Sequence, residues 1–385
     1  MSAESTSLAA GTWSPAGDLP VATEWQGQSE GAVLLNDGRV LVAGGSGPSY
    51  RAMRSAALFN PGPNKWLPTT ALSTERQLHS LTRLADGTVL AAGGTNTGPA
   101  FPAKGLKSVE RFNPVLETWT ATGDLIEPRT AHTATLLPDG RVLVAGGRTE
   151  RTPDSQGTTT SAELYDPKAG TWSATGAMTD PRSDHQAVLL RDGRVMVIGG
   201  QRYTGNGDVA TLAFCEIYNP ATGRWTPTGS LTSPRSLHTA TLLRDGTVFV
   251  TGGGWPGMVA DWVYNAHSDW TTERYDPATG RWTRAEDMSS ARTFHRAVVL
   301  GSGRVLIVAG GNGPALYAGF RSTALYDPIN RSWAAGAGLT TGRWACTATE
   351  LADGRVLVTG GIENVAWDQP IDEATIVTST EIFTP

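Results

Sequence analysis

The chain has 385 residues, a formal net charge of −5 and only 17% charged residues, so it offers no basic field to attract a phosphate backbone. No stretch approaches the roughly 18 apolar residues of a membrane-spanning helix. The first residues, MSAESTSLAAGTW, lack the basic start and the apolar run of a secretory signal. We therefore expect no nucleic acid and no membrane among its partners.

The amounts of cysteine, glycine and proline narrow the class further. Two cysteines, Cys215 and Cys346, are too few for a disulfide framework and favour a reducing, cytoplasmic location. The 46 glycines and 23 prolines are typical of many short strands joined by tight turns. The composition therefore favours an all-β protein.

The main feature of the sequence is a unit that recurs seven times. Each copy has an apolar run, a turn, a second apolar run and a Gly-Gly pair. The copies read AVLLNDGRVLVAGG, LTRLADGTVLAAGG, ATLLPDGRVLVAGG, AVLLRDGRVMVIGG, ATLLRDGTVFVTGG, AVVLGSGRVLIVAGG and ATELADGRVLVTGG. The Asp-Gly at the turn, replaced once by Ser-Gly, predicts a two-residue hairpin of type I′. Each unit is thus expected to begin with two antiparallel strands.

Two further strands complete each unit. A loop of variable length leads to a strand that ends in aromatic-x-Pro, and a fourth strand then carries a tryptophan. These residues are Trp66, Trp119, Trp172, Trp225, Trp282 and Trp333. Four strands make one blade of a propeller, with the aromatic residues packed between blades.

The seventh unit lacks a fourth strand, and the segment GTWSPAGDLP near the start of the chain matches it. Residues 12–16, with Trp13, are therefore expected to supply the outer strand of the blade formed by 346–385, which would close the ring. We predict a seven-bladed β-propeller of four-stranded blades, with residues 1–385 forming a single domain.

The paired glycines, the Tyr-Asp-Pro strand and the following tryptophan resemble the kelch repeat, and the resemblance runs from Thr12 to Pro385. It implies kelch blades around a central channel. It does not imply one activity, because propellers serve as enzymes, lectins and docking platforms alike.

An Arg-x-x-His pattern precedes five of the first strands. The pairs are Arg76 and His79, Arg129 and His132, Arg182 and His185, Arg235 and His238, and Arg292 and His295. Symmetry predicts these histidines at one height around the channel mouth, where they are candidate ligands of one copper, zinc or iron ion. The alternative is structural: histidines bonded to neighbouring backbone, and arginines paired with the third-strand Glu110, Glu163, Glu216, Glu273 and Glu381.

Two units depart from the pattern. Counting back from the turn glycine places Glu30 at the histidine position of blade 1 and Cys346 in blade 7, with Arg343 at the arginine position. Glu30 and Cys346 are candidate catalytic residues, as a general acid or base and a nucleophile, or Cys346 as a soft metal ligand. Drift at a tolerant position is the alternative. The six arginines are candidates for binding an anionic ligand, against buried pairing.

Aromatic residues of the loops that follow Gly-Gly are candidates for ligand binding, because long loops on a rigid scaffold often carry function. They are Trp255, Trp262 and Tyr264 in blade 5, Trp367 in blade 7, and Trp344 beside Cys346.

A second resemblance is to the copper-radical oxidases of the galactose oxidase type. The segment RTFHRAVVLGSGRVLIVAGG, with His295, is similar to their histidine-bearing strand, and Cys346 with Trp344 is similar to their cysteine and stacking tryptophan. No tyrosine precedes any of the histidines, Glu30 or Cys346. A Tyr-Cys radical cofactor is therefore not expected.

Three functions remain open from the sequence. The leading hypothesis is an enzyme that processes a small molecule over the His/Cys/Glu ring, with or without one transition-metal ion and with no nucleotide cofactor. The second is a non-catalytic module that binds a peptide or glycan and resembles eukaryotic kelch adaptors. The third is a metal-free sugar mutarotase or epimerase, for which Glu30 with a histidine would suffice. A monomer is expected in each case.

Overall fold

The computed structural model of the protein describes residues 10–24, 31–97, 104–150, 157–205, 208–259, 262–312, 318–364 and 375–385. One short 3-10 turn, Pro48–Tyr50, occurs in these ranges, and the rest of the regular structure is β. Nothing helical in them has the length and apolar character to cross a membrane.

Seven antiparallel sheets of four strands form the blades. The strands of each blade are given from first to fourth. Blade 1 consists of Ala32–Leu34, Val40–Ala43, Ala56–Asn60 and Lys65–Pro68, and blade 2 of Ser80–Arg83, Val89–Ala92, Val109–Asn113 and Thr118–Ala121. Blade 3 consists of Thr133–Leu136, Val142–Ala145, Ala162–Asp166 and Thr171–Ala174, and blade 4 of Gln186–Leu189, Val195–Ile198, Cys215–Asn219 and Arg224–Pro227. Blade 5 is Thr239–Leu242, Val248–Thr251, Thr272–Asp276 and Arg281–Arg284; blade 6 is Arg296–Val299, Val305–Val308, Ala324–Asp327 and Ser332–Ala335; blade 7 is Thr347–Glu350, Val356–Thr359, Ser379–Thr384 and Thr12–Asp18.

The ring closes as predicted. The first strands of successive blades lie side by side, and the first strand of blade 7 lies beside that of blade 1. Thr12–Asp18 pairs antiparallel with Ser379–Thr384, with Trp13 opposite Phe383. Every blade is therefore complete, and the sheet that ends the ring contains both ends of the chain.

The core lies between the blades. Each of seven apolar clusters joins residues of two neighbouring blades. In every blade the aromatic residue of the third strand packs on the tryptophan of the fourth, as in Tyr165 and Trp172, whose ring centroids are 5.1 Å apart. These aromatic pairs fill the wide outer part of each wedge, which explains their recurrence.

The hairpin between the first two strands is not of type I′, so that prediction was wrong. In blade 1 the Gly38 N–H donates to Leu35 O at 3.1 Å and the Leu35 N–H donates to Arg39 O at 2.8 Å. Of Asp37 and Gly38, the two residues predicted to form the turn, only Gly38 has a positive φ, at 86°. This is a three-residue loop, a type I turn followed by a left-handed glycine, and Asp37 accepts from the Arg39 N–H.

The paired glycines are required where the second strand leaves the sheet. Gly93 and Gly94 have φ of 61° and 89°. A Cβ at Gly94 would lie 2.5 Å from Gln77 O, so a side chain is excluded there by backbone. In blade 6 the first of the two positions is Ala309, with φ of 63°, and the pair is therefore Ala309 and Gly310 rather than Gly310 and Gly311.

Hairpins project from three of the loops that follow these glycines. They are Gln201–Gly205 with Asp208–Thr211 in blade 4, Gly254–Val259 with Trp262–Ser268 in blade 5, and Ile362–Asn364 with Thr375–Ile376 in blade 7. The blade 4 and blade 5 hairpins lie against each other, so they form one raised wall on this face of the ring. We call this the loop face.

Candidate functional site

At the channel mouth, the residue before each histidine, and the residue before Cys346, forms a backbone hydrogen bond with the equivalent residue of a neighbouring blade. The Ala131 N–H donates to Leu78 O at 2.9 Å, and the Asp184 N–H donates to Ala131 O at 3.1 Å. The chain continues through Leu237, Phe294 and Ala345 at 3.2 to 3.4 Å. All six of these residues have positive φ, between 50° and 54°. The described mouth is thus bounded by peptide groups, not by imidazoles.

The five histidines lie between blades. Each ring packs over the first glycine of the preceding blade's pair, where a Cβ would lie 2.6 to 3.1 Å from the imidazole Cε1. The His79 Nε2 donates to Ala43 O at 3.1 Å, and His132 and His185 reach the hydroxyls of Ser80 and Thr133 at 3.0 Å. The imidazole therefore explains why a glycine occupies this position.

Burial keeps these imidazoles neutral. His79 is 5% exposed and the other four are at most 1% exposed. Desolvation, reinforced by the nearest arginine, lowers the pKa of His79 and of His295 to about 3. The same causes hold the pKa of His132, His185 and His238 well below the usual range.

The expectation that the five histidines converge on one metal ion is not met. In the described ranges, no three His, Cys, Asp or Glu side chains lie close enough to share an ion. The cause is the direction of the side chains, which point along the interblade contacts instead of into the channel. The described donor set does not fit a copper, zinc or iron site.

Five of the six arginines belong to buried ion pairs, which is the structural alternative considered above. Arg129 has no exposed surface, and its Nη2 lies 2.6 Å from Glu163 Oε1. The same guanidinium donates to Gly146 O and Ser161 O at 2.7 and 3.1 Å. Arginine-glutamate pairs recur in four other blades, as Arg76 with Glu110, Arg182 with Glu216, Arg235 with Glu273 and Arg343 with Glu381. These five arginines are therefore neutralised by the fold and have no free charge for a ligand.

Cys346 is a packing residue. It is completely buried in the apolar cluster between blades 6 and 7, and it is not part of a disulfide. Arg296 stands where blades 3 and 5 have threonine, and its Nε donates to Cys346 O at 2.7 Å. Ala309 stands where other blades have the glycine under the imidazole. A cysteine is small enough to pack beside both Arg296 and Ala309. The three residues that depart from the repeat, Arg296, Ala309 and Cys346, therefore compensate one another in volume. The proposed nucleophile has no exposed surface.

Blade 1 has a longer connection before its first strand than the other blades. Glu30 lies outside the described residues. In the other blades the backbone carbonyl of the arginine accepts a hydrogen bond from a glycine of the preceding blade's glycine pair, as Arg129 O does from the Gly94 N–H at 2.9 Å. In blade 1 the carbonyl that accepts the equivalent bond, from the Gly361 N–H, is that of Thr23. Thr23 therefore occupies the arginine position. The paired glutamate position is Ala57, so blade 1 has lost both charges together.

The residue after Thr23 was not anticipated from the sequence. Glu24 is 1% exposed, and neither carboxyl oxygen has a hydrogen-bond partner among the described residues. Burial raises the pKa of this carboxyl to about 8. The sequence contains one signal for it: no Arg-x-x-His pattern precedes the first unit. A search for that pattern alone does not draw attention to a unit that lacks it.

The aromatic candidates divide into buried and exposed ones. Trp344 is 1% exposed and packs on Phe294 with ring centroids 5.3 Å apart, so it is no open platform. Trp255, at the base of the blade 5 hairpin, is 40% exposed, and the neighbouring Trp270 is 54% exposed. The side chains of Trp262 and Tyr264 and all of Trp367 lie outside what the structure describes.

Similar proteins share the repeat. Alpha-scruin of Limulus polyphemus is 26% identical over 285 residues, which cover 72% of this chain and 29% of that protein. Kelch-like protein 36 of Rattus norvegicus is 24% identical over 268 residues, which cover 69% of this chain and 41% of that protein. The matched parts thus span less than half the length of these two curated relatives.

A solved structure shares the fold. It is described as a "novel fungal alcohol oxidase with catalytic diversity among the AA5 family, in complex with copper". It superposes with a TM-score of 0.75 at 18% identity, covering 98% of this chain and 76% of that one. At this identity the likeness concerns the fold alone.

A family model described as the KLHDC2/KLHL20/DRC7 Kelch-repeats domain matches residues 131–361. This stretch is more than half of the chain, and it agrees with the repeat seen in the sequence and the blades seen in the structure. The protein therefore belongs to the kelch-repeat family.

Proposed function

We propose that this protein is a non-catalytic kelch binding module whose loop face docks a peptide segment of another protein. The observation that carries the proposal is the burial of the described candidates for chemistry. The five histidines are neutral and enclosed, five of the arginines are paired with glutamates, and Cys346 is inaccessible.

The exposed part of the loop face supports binding instead of catalysis. Trp255 and Trp270 are the only tryptophans among the large apolar residues that stand exposed in the described ranges, and both belong to blade 5. Tryptophan is enriched at the centres of protein interfaces because it combines a large apolar area with little rotational freedom. Trp255 lies in the first strand of the blade 5 hairpin, and Trp270 follows its second strand.

Selection of peptides tests this proposal. A display library of random dodecapeptides is panned on the wild-type chain, and enriched peptides are synthesised and measured by fluorescence anisotropy. We expect micromolar binding that weakens at least about tenfold in Trp255→Ser/Trp270→Ser, as for loss of a central interface residue. The matched control is Ile329→Ser, which alters an apolar residue 87% exposed on the opposite face. If no peptide is enriched, or if both variants bind alike, the proposal fails.

The alternative is an enzyme that processes a small molecule with a bound copper, zinc or iron ion. The fold likeness to a copper-containing alcohol oxidase favours it. It requires ligands other than the described histidines. Elemental analysis of protein purified without added metal tests it: a stoichiometric ion that is retained in His132→Ala and His238→Ala supports the enzyme, with its ligands elsewhere, and absence of metal together with no response to added copper, zinc or iron removes it.

A further inference from the structure

One blade keeps the buried arginine but not the glutamate that neutralises it. In blade 2 the Glu110 carboxylate accepts from Arg76 Nη2 at 2.7 Å and from the Ser73 and Thr74 N–H groups at 2.7 and 3.2 Å. The equivalent glutamates of blades 3, 4, 5 and 7 accept from the same three kinds of donor. A three-donor carboxylate site is therefore a standard part of the blade.

In blade 6 the glutamate position is Ala324, while all three donors remain. Arg292 is 2% exposed. The N–H groups of Ser289 and Ser290, which correspond to those of Ser73 and Thr74, have no acceptor among the described residues. We call the space bounded by Ser289, Ser290, Arg292 and Ala324 the blade 6 slot.

The remaining contacts of Arg292 do not neutralise its charge. Its Nη1 donates to Ala309 O and Ser322 O at 2.9 and 2.7 Å, its Nη2 donates to Ser322 Oγ at 2.8 Å, and its Nε donates to Ser290 Oγ at 3.3 Å. The guanidinium also lies 4.9 Å from the centroid of the Phe320 ring. All of these partners are uncharged, and no described carboxylate lies within ion-pair distance.

A buried cation without a counter-ion is unfavourable, because removal of one member of a buried pair leaves the desolvation cost of the other uncompensated. Burial alone lowers the pKa of Arg292 to about 10. Blade 1 avoids this state, since Thr23 and Ala57 replace both members of the pair. Blade 6 has changed only one.

The slot can be reached from solvent. Ser289 and Ser322, on either side of it, are exposed, and Ala324 is 9% exposed. In other blades the glutamate side chain fills this opening. Substitution by alanine removes the carboxylate and the methylene groups that carry it, so the missing volume matches that of a small carboxylate.

We propose that the blade 6 slot binds a single carboxylate from outside the chain, held by Arg292 Nη2 and the N–H groups of Ser289 and Ser290. The ligand class is a small carboxylate anion or the side chain of an acidic residue. Charged hydrogen bonds of this kind are the strong ones, and backbone amides add direction. The slot is next to Trp270, since the Met288 N–H donates to Trp270 O at 2.9 Å, but none of its three donors belongs to Trp255 or Trp270, so this inference does not rest on the proposed peptide docking.

The test compares thermal unfolding of the full chain with and without sodium acetate, in three versions. Ala324→Glu restores the carboxylate of the other blades. Glu110→Ala empties the equivalent site of blade 2, where Arg76 has no other carboxylate of the described residues within 4.0 Å. We expect acetate at about ten times its dissociation constant to raise the Tm of wild type by about 2 °C. Acetate should raise the Tm of Glu110→Ala by more than that of wild type. Without acetate Ala324→Glu should have a higher Tm than wild type, and acetate should not raise it further.

The comparison between chains removes general effects of salt. An equal response to acetate in wild type and Ala324→Glu would overturn the proposal, as would no response in either wild type or Glu110→Ala. If Ala324→Glu does not fold, Arg292→Met serves as the second non-responding version. The tripeptide acetyl-Gly-Glu-Gly-amide then separates the sources: a response to it and to acetate assigns the slot to acidic side chains as well, and a response to acetate alone assigns it to small free anions.

Discussion

Mild acid is expected to unfold this protein through its buried histidines. In the folded chain the five imidazoles stay neutral, with the pKa of His79 and His295 lowered to about 3. In the unfolded chain they titrate near 6.5. The unfolded state therefore binds more protons between these values, and stability falls as pH falls through this window.

The magnitude is large relative to total stability. At pH 5 His79 and His295 each lower the free energy of unfolding by about 2 kcal/mol, because one pKa unit corresponds to about 1.4 kcal/mol, and the other three histidines act in the same direction. The free energy of unfolding of a whole domain is about 5 to 15 kcal/mol. We therefore expect the free energy of unfolding to be smaller at pH 5 than at pH 8.

Urea unfolding followed by tryptophan fluorescence at pH 8 and pH 5 measures the effect, since the 13 tryptophans include one in each interblade contact. The variant to compare is His238→Leu, because neither nitrogen of His238 has a hydrogen-bond partner among the described residues. It should lose about 2 kcal/mol less than wild type between the two pH values. An unchanged difference between pH 8 and pH 5 in this variant would refute the reasoning.

Two further predictions follow from blades 1 and 7. The raised pKa of Glu24, about 8, means that ionisation of this buried carboxyl removes stability as pH rises towards 8. Between pH 6.5 and 8 the free energy of unfolding of Glu24→Gln should therefore rise by about 2 kcal/mol relative to that of wild type, and equal changes in the two proteins, measured by urea unfolding, would contradict this. Cys346→His alone should destabilise by about 1 to 3 kcal/mol through overpacking, and adding Arg296→Thr and Ala309→Gly should recover most of it. A triple variant no more stable than the single one would show that these residues are not coupled.

The fold was predictable because its evidence is repetition. Seven copies of one pattern fix the number of blades, and Trp13 supplies the aromatic residue that the seventh copy lacks. The turn type was not predictable from Asp-Gly, because the same dipeptide fits two- and three-residue loops and the choice depends on which strand residues pair. Here Leu35 pairs with Arg39, which adds one residue to the loop.

The site was only partly predictable. Symmetry correctly placed the histidines at equivalent positions, but it does not give the direction of a side chain, and at the start of an inner strand that direction decides between channel and interblade contact. The pairing of arginines with third-strand glutamates could be read from the sequence, because both recur in five units. The arrangement in blade 1 could not be predicted, since counting from the turn glycine does not show that Thr23 takes the arginine position.

The closing sheet separates blade 7 from the others in the order of folding. Blades 1 to 6 each consist of consecutive strands, so each can form soon after its own residues are available. Blade 7 needs Thr12–Asp18, which precede blade 1 in the sequence, to meet Ser379–Thr384, which follow blade 6. Until then Trp13 has no Phe383 to pack against, and two sheet edges stay open to other chains. Completion of the ring is therefore the step in biosynthesis at which this molecule depends most on being kept from its own copies.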